Sequence, residues 1–364
     1  MRDARPAQTD AAACGFVHPA EWEPHAATWL SWPHNKTDWP GKFAPIPWVF
    51  AEIVRAVARG EDVRLIVSSP KAREEARRCL RAAHADVARV EFLVQPTDRG
   101  WCRDMGPIFL VRRGRRRGAM VVRFGFNAWA KYPDYRKDAK VAAAAAAWRD
   151  LPIADAVHAG RHVILEGGAI DVDGRGTLLT TEECLLDRKV QARNPGFTRR
   201  DMEQVCADWL GARNVIWLGR GIEGDDTHGH VDDICRFVDA RTVVLARERN
   251  PREKNHRILE ENRERLEGAR LADGSRLRIV RLPMPSPLFF DGQRLPASYA
   301  NFYITNAAVL VPTFNDPHDR EALGVLAELF RDRPVIGIHA VDLVLGLGTL
   351  HCLTHEEPAL PRVL

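Results

Sequence analysis

None of the seven cysteines in this 364-residue chain, at positions 14, 79, 102, 184, 206, 235 and 352, forms a CxxC pair. An odd number at irregular spacing argues against a disulfide framework or a structural zinc site and fits a reduced thiol pool. No run approaches the roughly 18 apolar residues that a membrane span needs. The opening MRDARPAQTDAAACGFVHPAEWEPH carries charges and prolines but no apolar h-region, so no secretory leader is expected and the expected location is cytoplasmic. Long Pro/Gly/Ser linkers are also missing. LPMPSPLF and LPASYANFY are proline-rich, but their aromatics read as packed loops. One domain over residues 1–364 is expected, with 1–20 as a poorly ordered extension. A strong charge imbalance is absent too, the formal net charge being +4. The one dense basic run, RRGRRRG (112–118), lies between two strand-like segments and reads as a solvated hairpin tip, so no nucleic-acid partner is expected.

What is present is ordinary for a globular enzyme: 45% hydrophobic and 28% charged residues. APIPWVFAEIVRAVARG, with proline near its start and glycine at its end, predicts a helix. DVRLIVS predicts a strand, PKAREEARRCLRAAHA a second amphipathic helix, and VARVEFLVQP another strand. Helix-like segments then start near Tyr135, Thr198, Pro251 and His318, in addition to the one at Pro70. The starts are about 55–65 residues apart, with GAMVVRFGF, NVIWLG, TVVLARE and NAAVLVPTF as strands in the gaps. That spacing predicts about five repeated β/α units in an α/β fold.

Four stretches hold more polar chemistry than packing requires. In DRGWCRDMGPIF, Arg103 and Asp104 precede a Gly-Pro turn, which places Asp104 at a strand entrance; alone, such a pair is most often a structural ion pair. In VILEGGAIDVDGRGTLLTTEECLL an apolar strand runs into Glu166 and two glycines, a way to aim a carboxylate into a cleft. The later DVDGRG predicts a hairpin turn and lacks the remaining ligands of a calcium loop. In EGDDTHGHVDDICRFV, a strand would put His228, His230 and Asp232 on one face. Such a face is either half of a metal site or a general acid/base with a carboxylate beside it. A metallo-β-lactamase pattern would carry a histidine after the aspartate, where this chain has Asp233, so the acid/base reading is preferred. In LGLGTLHCLTHEEPA, Gly346 and Gly348 leave the backbone bare on the approach to Cys352, a residue that by itself would pass for a small hydrophobe.

If these stretches converge, they make a site with one thiol, one histidine and three carboxylates. Such an excess of negative charge is costly unless a cation is expected. A guanidinium fits best, because its planar fork pairs bidentately with carboxylates.

The segments EWEPHAATWLSWPHN, WCRDMGPIF, LEGGAIDVDGRGTLLTTEECLL, DDTHGHVDDICRFV, PASYANFYITNAAVLVPTFNDPHDREAL and GLGTLHCLT together resemble the agmatine deiminase family, which includes bacterial peptidylarginine deiminases within the guanidino-group-modifying (pentein) superfamily. The resemblance implies five ββαβ units around a pseudo-fivefold axis, with the site in a central channel. It implies Cys352 as nucleophile, His230 as general acid/base, Asp104 and Asp232 as guanidinium clamps, and Glu166 as the group orienting His230. Trp101 and Trp32 would line the pocket, with Arg103 and Gly348 at the substrate. No metal or organic cofactor is implied. The implied partner is a small guanidino substrate, agmatine first. Arginine, peptidylarginine, an amidinotransferase-type acceptor, a metal-dependent hydrolase on His228, His230 and Asp232, and a silent guanidinium binder are the alternatives. The chain departs from the typical GGGNIHC and ITQQ at Leu347, Thr349, His355 and Glu356, and reads DRGW where NDSW is usual. These departures bear on the substrate's tail, for which Glu223, Asp225, Arg236 and Lys131 are candidates. Self-association as a homo-oligomer is common for enzymes of this size.

Overall fold

The computed structural model describes residues 10–360. Five sheets of three or four strands repeat one connection, an antiparallel pair followed by a helix and a parallel strand. Ile108–Arg112 runs antiparallel to Gly118–Arg123, which continues through helix Val141–Trp148 to the parallel Ile153–Asp155. Asp171–Val172 and Thr177–Thr181 continue through Arg199–Val205 to Asn214–Leu218. Cys235–Asp239 and Thr242–Arg247 continue through Lys254–Leu266 to Arg278–Pro283. Tyr303–Ile304 and Val309–Thr313 continue through Asp319–Leu329 to Val335–His339.

The fifth sheet joins the two ends of the described chain. Thr354–Pro358 pairs antiparallel with His25–Ser31, which continues through Ile46–Val57 to Asp62–Val67. Here the spacing pointed to the wrong helix. Pro70–Ala82 does not close this unit; it leads to a fourth strand, Val90–Val94. The helix in the repeating position is Ile46–Val57. Its Ile46, Phe50, Ile53, Val54 and Val57 recur at helical spacing and are all fully buried.

Local chemistry sets the element ends. Ser69 caps Pro70–Ala82 by accepting from the Ala72 amide at 3.1 Å, and Thr198 with Asp201 forms a capping box on Arg199–Val205. RRGRRRG is the tip of the Ile108–Arg112/Gly118–Arg123 hairpin, and DVDGRG turns between Asp171–Val172 and Thr177–Thr181 with Gly174 at φ +67° and Gly176 at φ +106°.

The expectation of a poorly ordered extension over 1–20 falls partly outside the described residues and is otherwise corrected. Residues 10–20 pack: Ala11 and Phe16 are buried, Val17 bridges Val111, and His18 Nδ1 lies 3.0 Å from the Phe109 carbonyl. Among the described residues no helix is long and apolar enough to cross a membrane.

Each of the five sheets is entered through a short segment that carries a chemistry-bearing side chain a few residues before the first strand. Asp104 lies on the one-turn helix Cys102–Met105, Glu166 just ahead of the 3-10 turn Gly167–Ala169, and Asp232 within the 3-10 turn Val231–Asp233. Asn301 precedes Tyr303–Ile304, and Cys352 lies on the one-turn helix Leu350–Leu353 before Thr354–Pro358.

Candidate active site

Cys352 is buried, and its sulfur is held between an amide and a carboxylate. Asn301 Nδ2 donates to Sγ at 3.2 Å, and the thiol donates to Asp232 Oδ2 at 3.6 Å. Burial pushes the thiol well above its ordinary range, and Asp232, Asp233 and Asp104 push the same way against the Asn301 donor. Two glycines make room. A Cβ on Gly348 would come within 2.8 Å of the Trp101 ring and 3.1 Å of Cys352 Cβ, and one on Gly346 within 2.7 Å of Trp39 Nε1.

The carboxylates and the imidazole meet around Gly168. Asp104 Oδ2 accepts from Trp129 Nε1 at 2.8 Å and Oδ1 from the Gly168 amide at 3.0 Å. Burial raises the Asp104 carboxyl to about 6; His230 opposes this, while Asp232 and Glu166 add to it. His230 has Nδ1 3.9 Å from Asp104 Oδ1 and Nε2 3.7 Å from Glu166 Oε2. Burial works against a charged ring, but Asp104, Cys184 and Glu166 outweigh it and hold the imidazole well above its usual value.

Glu166 is fully buried; Arg193 Nε donates to its Oε1 at 3.1 Å. Burial would raise this carboxyl, yet Arg193 and His230 bring it to about 2. Asp232 Oδ2 meets His351 Nδ1 at 2.7 Å, and against the opposing effect of burial this ring keeps the carboxyl below its ordinary value. A Cβ at Gly168 would fall 2.5 Å from His230 Nδ1, 3.0 Å from Asp104 Oδ1 and 3.1 Å from Asp232 Oδ2, so all three groups need a residue without a side chain there.

Four polar atoms in this group have no hydrogen-bond partner although they are buried: Glu166 Oε2, both ring nitrogens of His230, and Asp232 Oδ1. Native interiors pair such atoms, so unmet ones point to a guest. Two of them are carboxylate oxygens, which accept, and a guanidinium offers five donors in a plane. The guest space is a cavity of about 530 Å³ lined by Trp101, Asp104, Trp129, Leu347 and Cys352 and also by Asp38, Arg99, Lys131 and Asp226.

The five residues expected to carry chemistry, Asp104, Glu166, His230, Asp232 and Cys352, therefore lie in one cluster, and Trp101 lines its cavity. Other expectations are corrected. His228 does not share a strand face with His230. The segment is a loop with His228 at φ +65° and Gly229 at φ +95°, and the His228 ring turns to Asp187 Oδ2 at 2.8 Å. The metal set of His228, His230 and Asp232 is thus not assembled. Arg103 does not line the cavity; it is buried between Glu356 at 2.8 Å and Glu21 at 3.2 Å. Trp32 packs edge-on against Phe50 in the core, and Asp104 sits on a helical turn rather than at a bare strand entrance.

Of the tail candidates only Lys131 lines the cavity, paired with Asp226. Asp225 accepts from the backbone amides of Thr227, Gly229 and His230. Arg236 is buried against Asp171 and Glu21, and Glu223 pairs with Lys254. Among the departures from the family pattern, Leu347 lines the cavity and Thr349 donates to Asn301 Oδ1 at 2.7 Å, while Glu356 holds Arg103 beneath the site beside the buried His355. Arg99, the central departure in DRGW, lines the cavity and pairs with Asp38 and Asp134.

Sequence reasoning missed Asn301, His351, Trp129, Arg193 and Cys184. The last joins Glu166 and His230 in a buried trio whose ligand atoms lie within 4.8 Å of one another. His351 adjoins Cys352 and Trp129 lies two residues from Lys131, whereas Asn301, Arg193 and Cys184 stand far in sequence from every chosen residue.

A family model described as Porphyromonas-type peptidyl-arginine deiminase matches residues 17–358. The agmatine deiminase of Stutzerimonas stutzeri (strain A1501) is 35% identical over 95% of this chain and 96% of its own. That of Pseudomonas aeruginosa (strain LESB58) is 34% identical over 96% of this chain and 97% of its own. The solved agmatine deiminase of Enterococcus faecalis superposes with a TM-score of 0.87 at 28% identity, covering 97% of this chain and 99% of its own. The match takes in every strand of the five sheets and every residue around Gly168, and the chain belongs to the Porphyromonas-type peptidyl-arginine deiminase family.

Proposed function

We propose that the protein is a cysteine-dependent deiminase that hydrolyses agmatine to N-carbamoylputrescine and ammonia. The observation that carries this is the buried thiol of Cys352 beside Asp232, in the same cluster as the unpaired acceptors of Glu166 and Asp232. The agmatine deiminases at 34–35% identity over nearly the whole chain supply the substrate.

In the proposed reaction Asp104 and Asp232 clamp the guanidinium, and its charge offsets the three carboxylates that hold the thiol protonated. The Cys352 thiol then loses its proton to solvent and the thiolate attacks the guanidinium carbon. His230, kept charged by its neighbours, gives a proton to the departing amine, which leaves as ammonia. A covalent thiouronium remains on sulfur. The now neutral imidazole takes a proton from water, whose oxygen adds to the same carbon, and the C–S bond breaks as the added hydroxyl passes its proton to the departing sulfur, giving the ureido product and the free thiol. Glu166, fixed by Arg193, orients the ring throughout.

The five sheets are proposed to close around a pseudo-fivefold axis with the cavity in the central channel, so that residues 17–358 act as one domain. The support is that Asp104, Glu166, Asp232, Asn301 and Cys352 occupy the same place in the repeat, each just before the first strand of a sheet. The expected setting is cytoplasmic, where the seven free cysteines stay reduced.

The test is ammonia release from the purified protein with agmatine, arginine and an arginine-containing peptide in parallel. Turnover of agmatine that disappears in Cys352→Ala is expected; turnover of the peptide or of arginine alone would overturn the substrate, and turnover surviving the substitution would overturn the mechanism.

A further inference from the structure

We propose that Glu166, Cys184 and His230 form a binding site for a soft divalent cation of the Zn²⁺ class, and that the bound cation stops the enzyme by occupying the imidazole. A carboxylate oxygen, a thiol sulfur and a ring nitrogen from these buried residues lie within 4.8 Å of one another. Separately, the atoms are free to bind: Glu166 Oε2 and both nitrogens of His230 have no hydrogen-bond partner. Arg193 engages only Oε1 of Glu166 and leaves Oε2 facing His230 Nε2 at 3.7 Å.

Sulfur, nitrogen and oxygen donors in a set of three are what a four-coordinate zinc takes, with water in the last position. Ligand atoms around a tetrahedral zinc lie about 3.3–3.6 Å apart. The Glu166–His230 pair is already near that spacing, and the sulfur, within 4.8 Å of both, has to close in by no more than about 1.3 Å.

The fold holds the trio together. Thr181 Oγ1 accepts from the Cys184 amide at 3.0 Å and donates to the Gly229 carbonyl, which fastens the Cys184 turn to the loop carrying His230. The surrounding charge favours a cation: Asp104 and Asp232 stand beside the ring, so the field that draws a guanidinium also draws a divalent ion. On binding, the Cys184 thiol and the imidazolium each release one proton to water as the metal–sulfur and metal–nitrogen bonds form. A metal-held His230 is no longer an imidazolium: its remaining ring N–H is too weak an acid to protonate the departing amine. A guanidinium held by Asp104 puts a second positive charge beside the His230 ring, so substrate protects against the metal.

The inhibition rests on the deiminase reading; the metal site does not, and the test separates them. Co²⁺ is titrated into the metal-stripped full-length protein and followed by absorbance, with Zn²⁺ as the displacing ion. A thiolate-to-cobalt band that saturates at one equivalent, is abolished by Zn²⁺, is lost in Cys184→Ser and Cys184→Ala and persists in Cys352→Ser is expected. Thermal unfolding of each variant shows that it is folded. With agmatine as substrate, the Zn²⁺ concentration for half inhibition is expected to rise at least about tenfold in Cys184→Ser. A band that survives loss of Cys184 and disappears with Cys352 would put the metal on the nucleophile and overturn the proposal. So would the absence of any band. A band without agmatine turnover would keep the site and overturn only the functional reading.

Discussion

Asn301 grips the Cys352 segment from two sides: its Nδ2 donates to Sγ at 3.2 Å, while its Oδ1 accepts from the His351 amide at 3.0 Å and from Thr349 Oγ1 at 2.7 Å. Its Nδ2 favours the thiolate against burial and three carboxylates. Asn301→Ala is expected to move alkylation of Cys352 by iodoacetamide to higher pH and to lower kcat about 10–100-fold. An unchanged pH profile of inactivation would show that the amide only packs.

Gly168 is expected to be irreplaceable for activity but not for folding. A Cβ there would meet His230, Asp104 and Asp232 at 2.5–3.1 Å, and these groups cannot all retreat without losing their own partners. Gly168→Ala should lower turnover at least about 100-fold, the scale that follows from misplacing catalytic groups by about 1 Å. Circular dichroism and Tm check that the fold persists.

Trp129 donates to Asp104 Oδ2 at 2.8 Å and lines the same cavity. Trp129→Phe removes the donor and keeps most of the ring. A hydrogen bond to a charged group is worth about 1.5 kcal/mol or more, so KM for agmatine should rise about tenfold. A fall in kcat with KM unchanged would mean that the indole acts in the transition state instead.

His25 does not line the cavity, and it sets a pH limit on stability. Burial alone would lower its pKa, but Glu61 Oε1 at 2.9 Å from Nδ1 outweighs this and the ring is raised to about 9. A folded-state value above the unfolded one means that the folded protein binds the extra proton. The contribution is complete below about pH 6.5 and is lost as pH rises through 9. Tm should therefore fall between pH 7 and pH 10, and less so in His25→Gln. Parallel slopes for the two proteins would refute the assignment.

The repeating unit was legible because each crossover helix and its strands are local in sequence. The pairing of Thr354–Pro358 with His25–Ser31 was not, since nothing local joins segments that far apart. In the site, chemistry-bearing letters pointed to Asp104, Glu166, His230, Asp232 and Cys352. Direction was harder to read. Arg103 and Asp104 are neighbours in sequence, but consecutive residues on a helical turn face different ways, so one enters an ion-pair layer and the other the cavity. His228 was placed by strand alternation, which a loop with positive φ at His228 and Gly229 does not obey. Asn301, His351 and Cys184 gain their roles only from what lies beside them in space.

The sheet that closes on itself has a consequence for how the protein is made. His25–Ser31 is synthesised some 320 residues before its partner Thr354–Pro358. At about 5–20 residues per second the wait is roughly 15–65 s. During that time one side of the strand offers open backbone groups to any neighbouring nascent chain. The nucleophile arrives with the strand that seals this edge, so no partly made chain can hold both an assembled thiol site and an exposed sticky border.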